Sequence, residues 1–131
     1  MADTGIRGEG DTVVEAFIMG ATALTGVITD PSLVDGSSKI HITCRAAGIE
    51  YLFFDWINTL IYEMDVRKML FSSFDLTITR GKELMLEAEV WGENIKKEKH
   101  HPAVLIKGAT MTELVVENLG GRWVAQCVVD V

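Results

Sequence analysis

Asp130 and Val131 close a run in which Trp123, Ala125, Cys127, Val129 and Val131 alternate, and a period of two places them on one face of a strand. The other face carries Val124, Gln126, Val128 and Asp130. It is half apolar, as in a strand covered on both sides. A buried strand thus ends on an acid with the chain-end carboxylate beside it. Two negative groups there repel each other unless a cation sits between them. The competing reading is a frayed, solvated terminus. Lys107 is the second residue of interest, because it interrupts an apolar run. Its plain reading is an outward strand lysine with its stem on apolar surface.

Other reactive side chains point to less. There is no Gly-x-Ser-x-Gly, no phosphate loop and no Cys-x-x-Cys. His41 falls on the polar face of a strand and reads as a surface residue. His100 and His101 are adjacent, so in an extended chain they point to opposite sides and cannot easily share a metal. The run Lys96–His101 is locally basic and reads as a solvated loop more readily than as a phosphate-contacting patch. Cys44 and Cys127 lie far apart in apolar patterns, as buried thiols do, which fits a cytoplasmic protein.

The elements that position these residues are legible from periodicity. A short strand is expected around Gly5-Ile6-Arg7, followed by Gly8 and Gly10 as turn residues. Thr12 with Glu15 forms a capping box. Val13, Phe17, Leu24 and Val27/Ile28 then recur at helical spacing. Ile40, Ile42 and Cys44 alternate with Lys39, His41, Thr43 and Arg45, giving a strand with one wet face. Ile49 to Met64 carries the broadest apolar stripe and is the second helix. Residues 74–78 and 84–90 make a hairpin around Arg80-Gly81. Residues 93–102 read as a polar loop ending in Pro102. Val104 and Ile106 begin another strand, with a bulge or bend at Gly108, and Asn118-Leu-Gly120-Gly121 turns into the last strand. The order β-α-β-α-β-β-β-β predicts an α+β, two-layer fold, a mixed sheet with both helices on one face.

Composition agrees. A chain of 131 residues is one domain, 1–131, by length, with 48% hydrophobic and 24% charged residues. A net charge of -7 argues against a large basic footprint for nucleic acid. No apolar run approaches the length of a membrane span. The opening Met-Ala-Asp-Thr-Gly lacks the basic and apolar regions of a signal peptide.

Several of these segments together resemble the archease family, the small activators of RtcB-type RNA ligases. That family opens with an acid-His-Thr-Ala-Asp stretch, and Ala2-Asp3-Thr4-Gly5-Ile6 matches its latter part. Glu15-Ala16-Phe17 and Thr29-Asp30 match the first helix and its exit. Trp91-Gly92-Glu93, His100 and Lys107-Gly-Ala-Thr110 match the most diagnostic region, and Trp123-Val124 through Asp130-Val131 match the end. Leu105 stands where the family usually carries an acid, and Met111-Thr112 where an aromatic-His pair often follows.

The resemblance implies a divalent cation bound by Asp3, Asp130 and the main-chain oxygen of Val131, and a role for Lys107 in ligase activation. All-oxygen ligation favours calcium, with magnesium or manganese as alternatives, over zinc. It further implies a non-enzymatic protein cofactor. Such a cofactor promotes guanylylation and multiple turnover of the ligase in tRNA splicing or RNA repair, and the RNA is engaged through the ligase. Two rival readings are a metal-dependent hydrolase using Asp3 and Asp130, and a chaperone-like binding module without a ligase partner.

Overall fold

Alternation and helical spacing resolve into six strands and three α-helices, with a 3-10 turn at Pro31–Leu33, in the computed structural model of the chain, which describes residues 3–131. Met1 and Ala2 lie outside the described residues, and with them the start of the Ala2–Ile6 match and of the opening read for signal features. Strand β1 (Asp3–Gly10) leads into helix α1 (Val13–Ile28), strand β2 (Ser38–Ala46) and helix α2 (Ile49–Arg67). The hairpin strands β3 (Met69–Arg80) and β4 (Leu84–Asn94) follow. A single helical turn, α3 (Lys97–His100), precedes the second hairpin, β5 (Gly108–Leu119) and β6 (Arg122–Asp130).

Local chemistry sets the ends of these elements. Thr12 caps α1 by accepting the Glu15 N–H at 3.1 Å. Glu15 reaches back one residue further than an ideal capping box, accepting from the Asp11 N–H at 2.7 Å. The stripe Leu52, Phe53, Trp56, Ile57, Leu60, Ile61 and Met64 is the buried face of α2, which ends at Lys68 in the left-handed region. Gly120 and Gly121 both take positive φ in the β5–β6 turn, where a side chain would be strained.

The α+β class is as expected, with a difference in the sheet. The six strands divide into two three-stranded sheets, ordered β1-β6-β5 and β2-β4-β3, and every pairing is antiparallel. Each hairpin takes one earlier strand onto its free side, β1 onto β6 and β2 onto β4. The two helices join the sheets. α1 packs chiefly on β1, β3 and β6, and α2 on β5 and β2. Ile6, Ala125 and Cys127 of one sheet and Ile42, Leu86 and Phe74 of the other belong to the same buried core beneath them. Phe17 and Phe53 meet edge to face at 5.0 Å, and the Trp56 indole N–H donates to the Phe17 carbonyl at 3.1 Å. Cys44 and Cys127 are buried free thiols, as expected. Among the described residues no helix is long and apolar enough to cross a membrane.

Three local expectations are corrected. Gly8 and Gly10 are not turn residues but the last half of β1. A Cβ on Gly8 would lie 2.1 Å from the Ala16 carbonyl oxygen and 2.2 Å from the Gly20 nitrogen, so glycine is needed for strand and helix to touch. Residues 101–107 form no strand, although Ile106 is buried and Leu105 is 75% exposed. Val104 is exposed as well, so Ile106 is the only side chain of this segment buried in the core. The bulge falls not at Gly108 but between Thr110 and Val115, where Glu113 adopts φ 53°.

Gly8→Ala should therefore lower the unfolding free energy by about 2 kcal/mol or more, through overpacking against backbone. Gly26→Ala, on an open face of α1 with nothing within 4 Å of the added Cβ, should raise it by about 0.5–1 kcal/mol. Urea unfolding of the two variants measures both.

Candidate functional site

The antiparallel register of β1 on β6 sets Asp3 directly opposite Asp130. Ile6 and its partner Cys127 face the helices. By alternation Asp3 and Asp130 then project together from the opposite, outer face of the sheet. On the far side of β6, Gly108 stands opposite Asp130. The Lys107 N–H donates to the Asp130 carbonyl at 2.8 Å. The first strand, the last strand and the residue before β5 thus bring Asp3, Asp130, Val131 and Lys107 to one end of one sheet. Asp3 and Lys107 are exposed, and Asp130 and Val131 are half-buried. Val131 also packs on the core, which argues against a frayed terminus.

This end can offer a cation two carboxylates and main-chain oxygen. All are hard donors, and the donor chemistry fits an ion such as calcium, magnesium or manganese. Among the described residues no group of three or more His, Cys, Asp or Glu side chains gathers to hold a metal. The carbonyl of Asp130 is already engaged by Lys107. Two carboxylates and Val131 oxygen would leave several positions on such an ion for water or a partner's groups. Two like charges directly opposite across a strand pair are destabilising, so this end of the sheet favours a positive charge.

Sequence reasoning missed a second polar cluster. Glu93 is 7% exposed and His100 only 1%, although residues 93–102 read as a polar loop. One carboxylate oxygen of Glu93 accepts from Lys99 Nζ at 2.6 Å and from the Asp35 N–H at 2.7 Å, and meets His100 Nε2 at 3.1 Å. His100 Nδ1 accepts the Lys96 N–H at 2.9 Å, so Nε2 carries the ring proton and donates to Glu93. Lys99 also binds Asp35 at 2.8 Å. The Thr29 hydroxyl donates to the His100 carbonyl, tying the turn to the exit of α1. Hydrogen bonds from Lys99, Asp35 and His100 hold the Glu93 carboxyl down at about 2, and Asp35 and Glu93 raise Lys99. The hints in the sequence were the family match at Glu93 and His100 and the adjacent histidine pair; buried His100 closes the helical turn, and His101, in the left-handed region, is exposed. His41 is exposed beside Glu89 at 3.2 Å, as expected of a surface histidine.

Comparison with known proteins places this chain in a family. The sequence profile of the Archease protein family matches residues 1–131. A protein archease from Sulfurisphaera tokodaii is 35% identical over 130 residues, covering 99% of this chain and 93% of that protein. One from Pyrococcus furiosus is 35% identical over 133 residues with the same coverage. A solution structure of a Methanobacterium thermoautotrophicum protein superposes with a TM-score of 0.87 at 28% identity, covering 100% of this chain and 94% of that one. The crystal structure of a Thermotoga maritima protein described as an archease, possible chaperone, shares the fold with a TM-score of 0.62 at 17% identity, covering 99% of this chain and 91% of that one.

The buried carboxylate sets an acid dependence of stability. Its pKa falls from 4.5 in the unfolded chain to about 2 in the fold, so its contribution is complete above 4.5 and is lost as pH drops toward 2. Glu93→Gln should therefore be less stable than wild type near neutrality, and the gap should shrink as pH falls through that window. Urea midpoints of both proteins across the window check the sign.

Proposed function

Because the chain belongs to the archease family, we propose that it is a protein activator of an RtcB-type RNA ligase, promoting guanylylation of the ligase and its multiple turnover in tRNA splicing or RNA repair. The ligase supplies the GTP site and the chemistry, and this chain acts as a non-catalytic cofactor. The observation that carries the reading is the convergence of Asp3, Asp130 and Lys107, from three separate parts of the sequence, on one exposed end of a sheet.

Asp3, Asp130 and Val131 would hold a divalent cation there, calcium in the first instance, supplying positive charge beside the two carboxylates. Lys107 adds a cation on the neighbouring segment, suited to a phosphate or a carboxylate of the ligase. The net charge of -7 suits approach to a basic RNA-binding surface through attraction that salt weakens. The hydrolase alternative needs, besides the metal, a general base within hydrogen-bond reach of a water held by the two acids.

Lys107→Ala should leave the fold intact and reduce ligase guanylylation, measured with GTP and the ligase with and without this protein. Full activation by the folded variant would remove Lys107 from the reading. Asp130→Asn should weaken calcium and manganese binding on the order of tenfold or more, because affinity follows ligand charge. Calorimetric titration of wild type and variant decides it, and equal affinities, or no binding to wild type, would eliminate the metal site.

A further inference from the structure

Among the described residues β5 is an edge strand, so backbone N–H groups on its open side meet no strand there. Next to Lys107 a helix meets one of them. The Ala109 N–H donates to Asn58 Oδ1, on α2, at 2.9 Å. Toward β6 the Lys107 N–H donates to the Asp130 carbonyl at 2.8 Å, and the Thr110 hydroxyl donates to the Val128 carbonyl at 2.9 Å. The start of β5 is thus clamped from both sides, by β6 and by Asn58. Its neighbour Gly108 lies against the same amide, since a Cβ there would sit 3.6 Å from Asn58 Oδ1.

Asn58 is well placed to act as the fixed side of the clamp. It follows Ile57, which is fully buried, on a helix held by seven buried side chains. Asn58 and Lys107 also line the same groove, together with Ile61, Tyr62, Asp65 and Leu105. An acceptor is required at this position because the partner is a backbone N–H. Leucine or alanine would leave that donor to water, while aspartate would keep the acceptor.

We infer that Asn58 is a positioning residue, fixing where Lys107 stands relative to Asp130 by holding the backbone two residues beyond the lysine. The functional half of this inference rests on the activating role proposed for Lys107. The structural half does not.

The test combines amide hydrogen exchange on the protein alone with ligase guanylylation, using Asn58→Ala, Asn58→Asp, Lys107→Ala and the double variant Asn58→Ala/Lys107→Ala. Asn58→Ala should speed exchange of the Ala109 amide by about tenfold, and Asn58→Asp should restore its protection. Amides of Ile42 and Leu86, in the other sheet, serve as the control for global stability and should not change. In the ligase assay Asn58→Ala should lose most of the Lys107-dependent activation, Asn58→Asp should recover it, and the double variant should be no worse than Lys107→Ala. Unchanged exchange at Ala109 overturns the inference. So does normal activation by Asn58→Ala when Lys107→Ala is impaired, or a loss that adds to that of Lys107→Ala. If Lys107→Ala itself activates fully, the role proposed for Lys107 fails, and Ala109 exchange alone decides whether Asn58 holds the segment.

Discussion

The pairing of β1 with β6 is the constraint on which the site depends. Eight residue pairs, from Asp3 opposite Asp130 to Gly10 opposite Trp123, join the first strand to the last. The register follows from burial. Ile6 must face the helices, and a slip of β1 by one residue would turn it outward and carry Asp3 toward the core. Burying one isoleucine contributes about 1.5–3 kcal/mol. Opposing like charges across a strand pair cost less, of order 0.2–1 kcal/mol. Apolar burial therefore holds Asp3 opposite Asp130 despite their like charge.

The rest of the fold keeps this end in place. Two sheets that share no hydrogen-bonded strand pair are joined by helices that pack on both. Gly8 lets β1 touch α1, while Gly20 of α1 lies under the Phe53 ring of α2. The segment between β4 and β5 looks loose by composition, yet it is tied at intervals. Glu93 holds Lys99 and His100, Thr29 holds the His100 carbonyl, and the Ala103 N–H donates to Ile28. At its far end Lys107 is bonded to Asp130. Charge-assisted hydrogen bonds in a shielded setting give order that hydropathy alone would not assign.

Much of this was readable from local pattern. Period two located β2, the β3–β4 hairpin and β6, period 3.6 located α1 and α2, and the Thr12 cap and the Asn118–Gly121 turn marked boundaries. Burial of Cys44 and Cys127 followed from the same alternation. Asp130 and Val131 stood out because an acid ends an apolar strand. Asp3 had no such signal and entered only through family resemblance, as did the role given to Lys107.

Tertiary structure decided the remainder. Alternation reports which face of a strand is buried, but not which strand it bonds to, so the expected single sheet became two. It also does not tell a strand from an extended segment laid on the core, hence the misreading of Val104 and Ile106. Gly8 looked like a turn glycine because the helix it touches is invisible to neighbours in sequence. Glu93 and His100 looked solvated because polar composition reports a residue's own cost of burial, not the partners that offset it. The sequence by itself determined the elements and most of the chemistry they carry. The meeting of Asp3, Asp130 and Lys107 belongs to the fold, because long-range strand register, set by a shared core, is what brings opposite ends of a chain to one place.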